Sequence, residues 1–232
     1  MKDVILITSG KGGVGKSTVS SLISMRRANR NKILLIDADP GLTNLNIIFN
    51  IKQTSYDIYD VVKGICSLED ALIKIKDNLY MLNLFQSTEL EKNSFDLLDT
   101  IIYYLKDDFD YFVVDSPAGI DQSFINCLKV SNKIVIVLND ELTSYEDARK
   151  VKRLCRVHNK NQIIYVMNRF NKKESFKEYI KTRVNYYLND QNLFYINQVP
   201  GSIYKKYRML CLQKDFVKLY DSLTRVNSHT LF

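Results

Sequence analysis

Ser9-Gly10-Lys11-Gly12-Gly13-Val14-Gly15-Lys16-Ser17-Thr18 is the stretch from which the rest of the chain is read. The apolar run Val4-Ile5-Leu6-Ile7 precedes it, and Val19, Leu22, Ile23 and Arg26 follow at helical spacing. Buried strand, glycine-rich loop and helix, in that order, make a cradle for phosphate. Residues 10–17 fit G-x-x-x-x-G-K-[ST], the pattern of a P-loop. Glycines let the backbone curl so that successive N–H groups point inward, and the helix adds the positive end of its dipole. The expected guest is a polyphosphate, with Lys16 reaching the β- and γ-phosphates and the Ser17 hydroxyl holding magnesium.

Outward from the loop, short apolar runs recur at 33–36, 80–84, 111–114, 134–138, 163–167 and 193–199, with amphipathic stretches between them. Nearly continuous apolar runs of this length belong to parallel strands covered on both faces. The expected fold is α/β, a doubly wound, mostly parallel sheet with helices on both faces, a three-layer P-loop sandwich. Ligands of such a sheet sit at the carboxyl ends of its strands, and the polar motifs fall there. Ile33-Leu34-Leu35-Ile36 runs into Asp37-Ala38-Asp39-Pro40-Gly41-Leu42-Thr43-Asn44-Leu45. Carboxylates two residues apart at a strand end share a side, so Asp37 and Asp39 can both face the loop. Tyr111-Phe112-Val113-Val114-Asp115-Ser116-Pro117-Ala118-Gly119-Ile120 is a second anchor. An apolar strand ending in Asp is the Walker B arrangement, in which Asp115 holds magnesium directly or through water. Asn168, after the run at 163–167, offers a donor and an acceptor to a purine edge. The chain has no Asn-Lys-x-Asp guanine motif, so ATP is the expected nucleotide.

The remaining segments carry less chemistry. Residues 56–76 read as two short helices around a turn. Residues 94–106 read as a helix that turns Phe95, Leu97, Leu98, Ile101, Ile102 and Leu105 to the core. A helix at about 144–157 carries Arg149, Lys150, Lys152, Arg153 and Arg156, either as a solvated face or as a surface for a partner or lipid. The tail, 213–226, forms an amphipathic helix with Phe216, Leu219, Tyr220, Leu223 and Val226 on one face and Lys218, Asp221, Ser222 and Arg225 opposite. It either packs back onto the sheet or lies on a membrane.

At 232 residues with 46% hydrophobic content, the chain is expected to form one domain over 1–232. No apolar run approaches the ~20 residues that cross a bilayer, and residues 1–8 lead straight into the loop, so a cytoplasmic location is expected. Cys66, Cys127, Cys155 and Cys211 are scattered without a C-x-x-C pair and read as reduced and structural. The net charge of +7 is uneven: residues 1–141 hold 15 Lys/Arg against 19 Asp/Glu, net −4, and residues 142–232 hold 18 against 7, net +11. Anionic lipid and nucleic acid both reward such clustering, and lysine-rich composition alone also produces it.

Lys11 makes the loop more specific. Lys-Gly-Gly-Val-Gly-Lys-Ser-Thr, residues 11–18, resembles the deviant Walker A loop of the MinD/ParA family of ATPases. Asp-x-Asp-x-Gly-Leu-x-Asn-Leu and Asp-Ser-Pro-Ala-Gly-Ile resemble the two switches of that family's MinD branch and its flagellar branch. The resemblance implies that Lys11 crosses the interface of an ATP-sandwiched homodimer to the partner's nucleotide. It further implies that Asp37 supports magnesium from the outer shell, Asp39 orients the attacking water and Asn44 lies at the dimer interface. Asn168 then contacts adenine, helped by backbone near Pro200. At Asn139-Asp140-Glu141 the chain departs from the usual Pro-Glu, since Asp140 stands in place of proline. Relatives that carry an iron–sulfur cluster need suitably placed cysteines, and Cys127 alone supplies no set. The implied activity is slow, partner-stimulated ATP hydrolysis that switches association with an activating protein and the inner membrane surface, for placement of the division site or flagellum. A DNA-segregation ATPase and a nucleotide-gated binding protein with negligible turnover are the other two expectations.

Overall fold

In the computed structural model, residues 2–39, 44–51, 56–84, 97–171 and 173–224 are described. Eight strands form one sheet in the order β3-β4-β2-β5-β1-β6-β7-β8. The central strands are β1 (Asp3–Thr8), β2 (Ile33–Asp37), β5 (Tyr111–Asp115) and β6 (Lys133–Leu138). β4 (Leu79–Asn83), β7 (Ile163–Phe170) and β8 (Leu193–Asn197) extend the sheet with parallel pairing. β3 (Ile73–Lys76) is the antiparallel edge.

Alternation along each strand divides the core in two. Val4, Leu6, Leu34, Ile36, Phe112, Val114, Ile134 and Ile136 face one layer of helices. That layer contains α5 (Leu97–Leu105), α6 (Gln122–Val130), α7 (Leu142–Val157) and α8 (Phe176–Leu188). Ile5, Ile7, Ile33, Leu35, Val113, Val135 and Val137 face the other, built by α1 (Lys16–Arg27), α2 (Asn44–Phe49), α9 (Ile203–Leu210) and α10 (Lys214–Thr224). Both faces are dry, which is why these strands read as continuous apolar runs and not as alternating ones. Truncating a fully buried side chain such as Leu22 to Ala would cost about 2–5 kcal/mol.

Segment 56–76 corrects the expectation of two helices alone. α3 (Ile58–Val62) and α4 (Leu68–Ala71) are present, each with a capping box, from Asp57 with Asp60 and from Ser67 with Asp70. Ile73-Lys74-Ile75-Lys76 then forms β3: Ile73 and Ile75 pack against the core, Lys74 is exposed, and past a register shift Lys76 donates Nζ to the Met25 carbonyl of α1 at 3.1 Å. The tail takes the first of its two expected courses: Phe216, Leu219 and Leu223 are buried against α1 and the sheet, so this apolar face is not offered to a membrane. Pro40, Gly41, Leu42 and Thr43 of the first switch, Phe95, Arg225 and Val226 lie outside the described residues. The basic face of α7 is partly neutralised: Arg149 pairs with Glu146, Lys150 with Asp147, and buried Lys152 with Asp190, while Arg153 and Arg156 remain exposed. The four cysteines are free, and no helix among the described residues is long and apolar enough to cross a membrane.

Candidate nucleotide site

The central β1 delivers the loop, and its neighbours β5 and β2 deliver the carboxylates. Gly15 caps α1 with a left-handed backbone (φ 99°), and no side chain caps the helix, so the first-turn N–H groups are left for a ligand. A Cβ at Gly15 would also run into the Asn168 amide. At Gly10 the constraint is space: a Cβ would stand 2.5 Å from Cβ of Asp147 and 2.7 Å from its carbonyl oxygen, so the loop entry fits beneath α7 only as glycine.

Ile7, Asp115 and Asp37 are register partners across β1, β5 and β2. The two carboxylates therefore point to the α1 face of the sheet side by side. Asp115 is fully buried, with the Ser17 and Ser20 hydroxyls beside it but neither oxygen in a well-formed hydrogen bond; Asp37 is buried with Oδ2 unpartnered. Burial holds both carboxyls above the usual range, reinforced at Asp37 by the neighbouring Asp115 charge, while at Asp115 the Ser17 hydroxyl and Lys16 pull the other way. Unpartnered buried carboxylates are costly unless a cation joins them. The described residues hold no preformed cage of three or more His, Cys, Asp or Glu side chains. Magnesium does not need one, because it keeps waters and takes its remaining ligands from phosphate. The donors here, the Ser17 hydroxyl and two carboxylates, fit such an ion.

Lys16, Ser17, Asp39 and Asn44 line one cavity of about 330 Å³, with Gly12, Gly13 and Gly15 on its floor. Asp39 is half-buried; burial raises its carboxyl against the opposing charge of Lys16, and its N–H donates to Asp37 Oδ1 at 3.2 Å. Thr18, Asn168 and Pro200 line an adjoining cleft of about 520 Å³ between α1 and the ends of β7 and β8. The expected base-contacting residues thus share a cleft beside the phosphate cavity. Asn168 is already engaged, donating Nδ2 to the Val14 carbonyl at 2.8 Å. It lies within β7 and not beyond its end, because the pairing with β8 slips between Met167 and Phe170, where Arg169 is left-handed (φ 56°).

Lys11 is the expected residue that points elsewhere. Its Nζ pairs with Glu141 Oε2 at 2.7 Å and reaches Thr143 Oγ1 at 3.4 Å, both at the start of α7. Glu141 and Thr143 were missed by the sequence reading, although the segment that carries them was visible. Arg169 was missed as well, and it lines both the phosphate cavity and the base cleft. So was Asn83, buried with both amide atoms unpartnered and in register with Asp37. An amide ending the otherwise apolar Leu79-Tyr80-Met81-Leu82 was the available signal.

Comparison with known proteins follows the same geometry. The family model described as "AAA domain" matches residues 2–166. The septum site-determining protein MinD of Bacillus subtilis is 35% identical over 156 residues, 65% of this chain and 58% of that protein. The match thus spans less than two thirds of that relative. The MinD chain in the MinC:MinD cell division complex of Aquifex aeolicus superposes with a TM-score of 0.75 at 30% identity, covering 95% of this chain and 93% of that one. MinD of Pyrococcus horikoshii, solved with Mg-ADP, shares the fold with a TM-score of 0.79 at 24% identity and 97% coverage of both chains. With loop, switch carboxylates and topology all in agreement, the chain belongs to the MinD/ParA family of P-loop ATPases.

Proposed function

We propose that this chain is a magnesium-dependent ATPase that dimerises around ATP and acts as a positioning switch, placing a division site or flagellum by reversible association with partner proteins and the membrane surface. The observation that carries the reading is the register-paired Asp37 and Asp115, buried with three of their four carboxylate oxygens unpartnered near Lys16 and Ser17. Their charge is left for a cation, and the glycine-rich loop beside them is built to take an anion. The Mg-ADP found on the Pyrococcus relative and the MinC partner of the Aquifex relative support the same reading.

The work of catalysis falls to positioning and electrostatics. Loop N–H groups and Lys16 hold the phosphates, Ser17 with Asp115 and Asp37 would hold magnesium, and magnesium would neutralise charge developing on the transferred phosphoryl. Asp39, facing that cavity, orients water. Asn168 and Pro200 hold the base. Lys11 acts on the nucleotide of a second copy, so its pair with Glu141 must open first. That pair is half-exposed on both sides, and such pairs contribute about 0–1 kcal/mol, so triphosphate can displace it.

The test is scattering or sedimentation with magnesium and a non-cleavable ATP analogue. A dimer that Lys16→Ala abolishes supports the reading; single subunits at every analogue concentration overturn it. A second reading, a DNA-segregation ATPase, draws on exposed Lys205, Arg208, Lys214 and Lys218 on α9 and α10. ATP-dependent, steeply salt-sensitive DNA binding without vesicle binding would favour it.

A further inference from the structure

Asp140, the residue that replaces the family's usual proline, shares a cavity of about 230 Å³ with Asn168 and Arg169 and is tied into a network between α7 and α8. Tyr145, fully buried on the first turn of α7, donates its hydroxyl to Asp140 Oδ1 at 3.0 Å. Arg183, in the middle of α8, donates Nη1 to the same oxygen at 3.3 Å and lies 4.8 Å over the Tyr145 ring. That ring stacks in turn on Tyr187 of α8, 5.5 Å between centroids. The Asp140 carboxylate is therefore held by α7 and α8 together, mostly out of water.

The next residue is Glu141, the acceptor of Lys11. Its backbone is extended (φ −132°, ψ 140°), so the chain carries the two carboxylates to different sides: Asp140 inward to Tyr145 and Arg183, Glu141 outward to Lys11. Backbone bonds remove further slack. The N–H groups of Ser144 and Tyr145 both donate to the Glu141 carbonyl, at 3.0 and 3.3 Å, and the Asn139 N–H donates to Ser144 Oγ at 3.1 Å. An exposed ion pair loses much of its small value to the entropy of holding two long side chains in one geometry. Fixing one partner's backbone reduces that loss.

We infer that Asp140 is a positioning residue: braced by Tyr145 and Arg183, it holds Glu141 against Lys11 and so sets how readily Lys11 leaves for the nucleotide of a second copy. This rests on the cross-dimer role of Lys11 proposed above. It brings α8 into the nucleotide switch although α8 supplies no residue to the phosphate cavity.

The experiment measures, by sedimentation velocity with magnesium and a non-cleavable ATP analogue, the protein concentration at half-dimerisation. Glu141→Gln is expected to lower that midpoint about fivefold, the effect of freeing Lys11 from an exposed pair. Asp140→Asn and Tyr145→Phe should each lower it about two- to threefold, because they loosen that pair without removing it. The double variant Asp140→Asn/Glu141→Gln should match Glu141→Gln alone, since the brace acts through Glu141. Arg183→Lys, which keeps a cation beside Asp140, should restore the wild-type midpoint relative to Arg183→Met. A merely structural role would lower Tm and leave the midpoint in place, or add to the effect of Glu141→Gln; either result overturns the inference. Should Asp140→Asn fail to fold, Tyr145→Phe, which loses one hydroxyl and keeps its ring, decides by the same criteria. If wild type and Glu141→Gln both stay monomeric, the role of Lys11 falls and the brace with it. If both dimerise as expected while Asp140→Asn and Tyr145→Phe match wild type, only the brace falls.

Discussion

At the amino ends of the strands, buried cations are tied to the end of a helix; at the carboxyl ends, buried carboxylates stand beside the phosphate loop. Lys133, opening β6, pairs with Asp3 at 2.7 Å and donates to the Leu223 carbonyl at 2.8 Å. Arg27, closing α1 and wholly buried, donates Nη2 to the same carbonyl at 2.7 Å and lies 4.0 Å over the Tyr111 ring, while its Nε and Nη1 have no hydrogen-bond partner. Both cations sit at the C-terminal end of α10, where the helix dipole favours them. Across the sheet, Asp37 and Asp115 are as deeply buried but have three carboxylate oxygens without a partner. The same fold thus uses buried charge in two ways. Tied to the Leu223 carbonyl and, at Lys133, to a counter-ion, it fastens α10; left beside the phosphate loop it is available to a ligand. Neither burial nor the count of unanswered atoms separates structure from function, since Arg27 also keeps two unpartnered nitrogens; what differs is the neighbour, the end of α10 on one side and the phosphate loop on the other.

Variants can break this contrast, and the largest effect is expected at the amino end. Lys133→Met removes the partner of Asp3 and leaves the Leu223 carbonyl to Arg27 alone, and should cost about 3 kcal/mol, a fall in Tm of roughly 6–12 °C for a chain of this length. A shift under about 2 °C by calorimetry would mean that the amino end is not held by its charges. Lys16→Ala comes next: nucleotide affinity should drop about a hundredfold, the loss of a strong charge-assisted contact, with Tm of the free protein little changed. Titration calorimetry reads the first and a thermal melt the second. Asp115→Asn sharpens the comparison by its sign. It removes an unmatched buried charge, so the free protein should gain about 1 kcal/mol, while the extra thermal protection by magnesium over nucleotide alone disappears. A destabilised free protein would show that Asp115 is matched after all. Lys11→Ala is expected to move stability least, within about 0.5 kcal/mol, because its pair with Glu141 is exposed. It should retain nucleotide binding by the single subunit but lose hydrolysis coupled to dimerisation. Wild-type turnover in that variant would reduce Lys11 to a surface residue.

Much of this arrangement was legible in the chain. The phosphate loop, the strands around it and the two aspartates at strand ends are local patterns, set by period, by glycine and by the residue that ends an apolar run. What was missed had weaker local signals. Ile73-Lys74-Ile75-Lys76 is four residues long and becomes a strand only because β4 offers an edge beside it. Asn168 looked like a residue beyond a strand because nothing local announces the slipped pairing that keeps it within β7. The helix at residues 144–157 looked like a basic surface because the acids that neutralise it include Asp190, 38 positions from its partner Lys152.

The sequence by itself determined the loop, the parallel sheet and the identity of the carboxylates, since hydrophobic period and glycine placement act over a few neighbours. Only the tertiary structure decided which of those groups would be answered. That α10 folds back onto Arg27 and Lys133, that Lys11 finds Glu141 130 positions away, and that Asp37 meets Asp115 depend on which strands lie side by side. Charge is matched or stranded by distances in space, and the order of residues does not fix those distances until the sheet is assembled.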